Sequence, residues 1–255
     1  MKKHIINIAS YEETLHNLEK YHQEILVEVR DEFKFSNVSA TPFIALRKNV
    51  ELGFLCSPLI DWEQDAIVQY GKKPVFDEYY PLILDFVRRT TIPKKSFEYA
   101  CGIAYFHVFS PMYYKNMLCS FFVNFFEKPI FKSFNLRHSS LEQEIVIQIS
   151  AFFRKQNKYG PEKVSVSILD DQFIVIMISG LLTPFLKNFI DSSRQVASVV
   201  EEAIFLQTGK LLEEIFKKYF DAEPCEPFVF FDKDNDKVVA IASYRWKAFL
   251  DKMCT

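Results

Sequence analysis

Apolar residues at Leu141, Ile145, Ile149, Phe152 and Phe153 recur at helical spacing. Ser139-Ser140-Leu141-Glu142 ahead of them has the form of a capping box, and Gly160-Pro161 closes the element. Ile145, Ile147 and Ile149 also alternate, so a strand stays open as the second reading of this stretch. Next, Val164, Val166 and Ile168 alternate with Ser165 and Ser167, the pattern of a strand with one wet face. Phe173 to Ile178 is apolar throughout, as in a strand covered on both faces. Asp170-Asp171 between the two makes a hairpin. Thr183 stands at an N-cap position with Pro184 at the first helical position. A helical pattern then runs to about Phe220, through Val196, Val199, Val200, Ala203, Ile204, Leu211, Ile215 and Tyr219. Unbroken it would span about 50 Å, more than a short hairpin covers, so it is expected to break near Gly209 or to extend into a partner. Pro227 to Phe231 and Val238 to Tyr244 form a second hairpin about the polar turn Asp232 to Asp236.

The order α, β-β, α, β-β predicts an α+β fold, with one four-stranded antiparallel sheet and a long helix. The N-terminal half repeats part of this order. Ser10-Tyr11-Glu12-Glu13 opens a helix to about Phe33, and Pro42 to Arg47 and Glu51 to Ser57 flank a Lys48-Asn49 turn. Ser57-Pro58-Leu59 then falls where Leu182-Thr183-Pro184 falls in the second half. That half is read as α+β or mostly helical, and as a candidate degenerate copy of the same unit. Tyr79 to Val87 and Tyr113 to Phe126 read as helices, with Cys101 to Phe109 undecided. The polar stretch Lys132 to Ser140 divides the chain into domains at 1–135 and 136–255.

Composition changes this picture little. Hydrophobic residues make up 49% of the 255 and charged residues 25%, the balance of a globular chain with a sizeable core. The 27 Phe against 6 Gly read as aromatic core filling. A net charge of −2 points away from nucleic acid. The cysteines at 56, 101, 119, 225 and 254 are scattered and odd in number, which predicts free thiols in a reducing cytoplasm. The apolar stretch Ile5 to Ala9 is too short for a signal peptide core, and no run reaches the roughly 20 apolar residues of a spanning helix.

Candidate chemistry is sparse. Asp232, Asp234 and Asp236 have the spacing of the first three ligands of a calcium loop. The glycine such a loop needs next is Lys237 and its closing glutamate is Ser243, so the stretch reads as a turn. Asp170 and Asp171 would point to opposite faces of a strand and cannot converge on one substrate atom. The histidines show no metal-ligand spacing to one another or to cysteine. The glycines are isolated, with no phosphate-binding loop. No catalytic residue, metal or cofactor is therefore expected. Arg154, Lys155 and Lys158 cluster at a helix end, where they complement the helix dipole or offer a docking patch for an acidic partner or an anionic membrane.

Gly160-Pro161, Asp170-Asp171, and Gly180 with Thr183-Pro184, set in the α, β-β, α, β-β order, resemble the MpsC family over about Glu142 to Tyr244. That family is labelled as part of a sodium-translocating, membrane-potential-generating system. The resemblance implies a small soluble protein beside the membrane components of a cation-coupled or inorganic-carbon uptake system. It brings no catalytic residues, and some 135 residues precede the matching stretch. The first expectation is a non-enzymatic cytoplasmic accessory protein, peripheral to the membrane through transport subunits. The second is a cytoplasmic sensor binding a small apolar or anionic ligand in an aromatic pocket between the halves. Either is expected to form a homodimer or a pseudo-dimer of its two halves.

Overall fold

In the computed structural model, the residues described are 20, 27, 30–31, 41–58, 64, 103–109, 112–115, 117–129, 138–222 and 227–254. The chain divides into two compact units. The first is Met1–Phe134 with Phe249–Thr255, and the second is Asn135–Ala248.

In the first unit, β1 (Thr41–Arg47) and β2 (Val50–Pro58) form a hairpin whose turn residue Lys48 has φ 50°. Three further strands are β3 (Ile103–Val108), β4 (Met112–Tyr114) and β5 (Met117–Phe126). The sheet order is β1-β2-β5-β3, antiparallel throughout, with β4 also paired to β5. One face carries Phe54 and Phe121, ring centroids 4.5 Å apart, with Phe249 5.1 Å from Phe54. Gly53 on the other face leaves room for Phe122, whose ring would lie 1.9 Å from any Cβ placed there.

In the second unit, α1 (Ser139–Asn157) precedes the hairpin of β6 (Lys163–Leu169) and β7 (Phe173–Ser179). Helices α2 (Pro184–Ser192) and α3 (Arg194–Phe220) follow, then the hairpin of β8 (Phe228–Asp232) and β9 (Lys237–Ser243). The sheet order is β6-β7-β9-β8. The core lies between one sheet face and the helices. Val166, Ile174, Ile176 and Val238 meet Ile145, Ile149 and Phe153 of α1 and Leu211, Ile215 and Phe216 of α3. Each such buried side chain stabilises the fold by about 1.5–3 kcal/mol. The α+β class and the helix-hairpin-helix-hairpin order are those read from the sequence. Apart from the short β4, both sheets have the same strand order: first, second, fourth, third. Helix α4 (Trp246–Met253) closes the described chain.

Several local expectations are corrected. Residues Met117–Phe126 form a strand, not the helix expected over Tyr113 to Phe126. Phe121, Val123 and Phe125 alternate with Phe122, Asn124 and Phe126, and all six are buried. A central strand buries both faces of such a run, whereas a helix would bury one stripe. Cys101 to Phe109, undecided in the sequence, contains β3. The long helix breaks at Ser193, not at Gly209. Ser193 is extended (φ −151°, ψ 121°), and its Oγ accepts the N–H of Val196 at 3.5 Å, so a new helix starts there. The N-cap of α1 is His138, not Ser139, and its side chain makes no cap bond. Glu142 is buried, and its Oε1 accepts the N–H of Ile168 at 3.1 Å. Ser167, expected on a wet face, is buried, because Leu169, Val175 and Ile241 on that face are buried too. Of the helix expected up to Phe33, residues 20, 27 and 30–31 are described and helical. The helix expected over Tyr79 to Val87 lies outside the described residues.

Candidate functional site

The segment Gly180-Leu181-Leu182-Thr183-Pro184 connects β7 to α2 and organises the site. Gly180 has φ +73°, a left-handed conformation, and a Cβ there would lie 2.3 Å from Glu162 Cγ. Its N–H donates to the carbonyl of Asp236 at 3.1 Å. The next two amides converge on the Asp236 side chain. Leu181 N–H donates to Oδ1 at 3.1 Å, and Leu182 N–H donates to Oδ1 and Oδ2 at 3.2 Å each. Lys187 of α2 completes the shell, with Nζ 3.0 Å from Oδ2. Asp236 is buried and itself has φ 48°.

This arrangement decides the Asp232-Asp234-Asp236 question. Asp232 accepts the N–H and Nδ2 of Asn235 at 3.1 and 2.9 Å, and Asp236 binds backbone amides. The triplet is a turn. Among the described residues, no group of three or more His, Cys, Asp or Glu side chains is placed to hold a metal ion.

Thr183 caps α2 by accepting the N–H of Leu186 on Oγ1 at 3.3 Å, with Pro184 at the first helical position. Gly160 and Pro161 follow the α1 C-cap Lys158, which has φ 62°. Glu162 then pairs its N–H with the Ser179 carbonyl at 2.9 Å. Gly160, Pro161, Gly180, Thr183 and Pro184 thus gather around the end of the β6-β7 hairpin where β6 begins. Asp170 and Asp171 sit at the other end, with φ 50° and 51°, as the hairpin turn. There Asp171 pairs with His138 at the start of α1, and Tyr244 donates its hydroxyl to the Asp171 carbonyl at 3.0 Å. Arg154, Lys155 and Lys158 are exposed at the α1 C-terminus.

Beside the Gly180–Pro184 segment lies a pocket of about 330 Å³ within the second unit. Leu181, Leu182, Leu186, Val200 and Ile204 form apolar walls. Asn157, Tyr159, Thr183 and Gln207 add amide and hydroxyl groups. The pocket is mainly aliphatic. Outside it, Phe185 and Phe189 stack at 5.7 Å on α2 and are 74% and 50% exposed. Sequence reasoning missed this pair and Asp236. The i, i+4 spacing of the two phenylalanines was readable; the distant amides that Asp236 binds were not.

The first unit holds a second cluster. Cys119 and Cys254 place their Sγ atoms 3.4 Å apart, and Cys56, opposite Cys119 in the sheet, donates its thiol to the Met253 carbonyl at 2.9 Å. Burial, then the Cys254 thiol, pushes the Cys119 thiol well up. Nearby, Asp251 accepts from Tyr114 and pairs with Lys115, each at 2.8 Å, which raises both of their pKa values.

These features define a two-unit α+β protein whose second unit presents an apolar pocket and an exposed aromatic pair. Residues 137–244, nearly all of that unit, match the family model described as the Na+-translocating membrane potential-generating system (MpsC). No curated protein and no solved structure matches the chain. No helix among the described residues is long and apolar enough to cross a membrane.

Proposed function

We propose that the chain is a non-enzymatic accessory protein that docks, through α2 of its second unit, on a membrane subunit of a cation-coupled transport system. The observation that carries this reading is the exposed Phe185–Phe189 pair beside the pocket, inside the stretch that matches the MpsC model. Two large aromatic rings left in water on one short helix are the kind of anchor that protein interfaces bury. The basic side chains Arg154, Lys155 and Lys158 add attraction to an acidic partner or to an anionic membrane surface. The working site is then the cytoplasmic face of the membrane.

A photo-crosslinking residue at the exposed position 188 of α2, in cells, tests this. Crosslinks to an integral membrane transport subunit, lost in Phe185→Ser/Phe189→Ser, are expected. Recovery of the chain only as a free species, or with soluble proteins alone, overturns the reading.

The pocket favours a second reading, a regulator holding a small molecule with an apolar body and one polar end. Its volume lies at the lower edge of small-ligand sites, about 300–1,000 Å³. Ligand-dependent chemical shift changes confined to Leu181, Leu186 and Val200 would select this reading over the first.

A further inference from the structure

Helix α3 is 27 residues long, and its inner face accounts for its buried residues Ile204, Thr208, Leu211, Leu212, Ile215 and Phe216. Its outer face is a different surface. Val199 and Leu206 are 65% and 62% exposed there, one heptad apart. Glu202 and Lys210, both exposed, stand four residues before and four residues after Leu206. Gly209 lies on the same face, with open space where a Cβ would be. Positions 199, 202, 206, 209, 210 and 213 follow the three- and four-residue steps of one helical stripe.

We propose that this stripe pairs with the same stripe of a second copy, with the two α3 helices antiparallel about Leu206. In such a pair, position 206+n of one copy meets position 206−n of the other. Leu206 meets Leu206 on the two-fold axis. Lys210 meets Glu202 twice, once on each side. Gly209 meets Ala203, two small residues that let the backbones approach. A self-complementary patch is what a two-fold interface requires. The parallel alternative sets Glu202 beside Glu202 and Lys210 beside Lys210, so charge selects the antiparallel form. The stripe contains neither Phe185 nor Phe189, although Ala203 also lines the pocket, and pairing here does not depend on a membrane partner.

The test uses the full chain in sedimentation equilibrium at low salt. A dimer is expected. Lys210→Glu sets two carboxylates together on each side of the axis and is expected to weaken it by roughly tenfold or more. Adding Glu202→Lys to that variant restores opposite charges and the dimer. Leu206→Cys is expected to link to itself across the axis with a short bis-maleimide, shown by mass spectrometry of the linked peptide. All three positions are solvent-facing, so unchanged circular dichroism melts check that the variants fold. A monomer at every concentration overturns the proposal. So does a dimer that ignores Lys210→Glu and leaves Leu206→Cys unlinked, because such a dimer uses another surface. Absence of membrane-subunit crosslinks from position 188 with the dimer intact would count against the docking reading alone.

Discussion

Asp236 accepts the N–H of Leu182 on both of its carboxylate oxygens, at 3.2 Å each, across 54 residues of sequence. The turn of the second hairpin is thereby tied to the segment that opens α2. Hydrogen bonds to a charged group contribute about 1.5–3 kcal/mol, and orphaning buried amides costs as much again. Asp236→Ala is expected to destabilise the second unit by about 3 kcal/mol. Asp236→Asn keeps one acceptor oxygen and tolerates the left-handed backbone, so its loss is smaller. Hydrogen exchange at the Leu181 and Leu182 amides checks this directly. Unchanged protection in the alanine variant would refute it.

Two glycines are required for different reasons. Gly180 is left-handed and crowded by Glu162, whereas Gly53 faces the Phe122 ring. Gly180→Ala is expected to cost about 1–2 kcal/mol for the backbone alone. Trimming Glu162 to Ala in the same chain recovers only part of the clash, because its Cβ would still lie 2.6 Å from the new methyl. Gly53→Ala must displace a buried aromatic ring, at about 1–3 kcal/mol. In that case Phe122→Leu in the same chain recovers a large part. Denaturant melts of the four variants separate the two mechanisms.

Burial keeps Cys119 protonated, so its thiol is expected to alkylate slowly in the native state even where an open cysteine ionises. The sign for stability follows. The unfolded thiol loses its proton from about pH 8.5 upward while the folded one holds it, so this contribution is complete below that range and falls as pH rises above it. Mass spectrometry of iodoacetamide adducts at pH 8 and pH 9.5 reads the rate. Fast modification of Cys119 without unfolding would contradict the packing.

The caps of α2 and α3 offer a local check. Thr183→Ala and Ser193→Ala each remove an oxygen that accepts a first-turn amide. Each is expected to cost about 1 kcal/mol. Ser193→Ala is also expected to raise exchange in the first turn of α3 while leaving Leu211 and Ile215 protected. Equal loosening along the whole helix would show that the break carries no independent role.

The second unit was legible in sequence because its periods are clean. Leu141, Ile145, Ile149, Phe152 and Phe153 favour the helix over the strand that Ile145, Ile147 and Ile149 also allow, the Asp170-Asp171 turn marks the hairpin, and Thr183-Pro184 marks a helix start. Met117–Phe126 was misread because a strand buried on both faces shows no alternation. The break at Ser193 was missed because serine is tolerated inside helices, while Gly209 looked the weaker point. The pinning role of Asp236 could not be read from sequence at all. Nothing near residue 236 signals that amides 54 residues away will need an acceptor.

The strand order shared by both sheets has a consequence during synthesis. In the second unit, β6 and β7 pair early, but the inner edge of β7 stays open until β9 arrives, where Phe173 meets Ser243. Until then a nearly all-apolar strand presents unpaired amides and carbonyls to any other chain. The 36 or so residues of α2 and α3 leave the ribosome in that interval, and they can screen the sheet's face but not its edge. A nascent chain stalled before Lys237 is therefore a template for strand addition, and its solubility depends on how quickly the last strand is made.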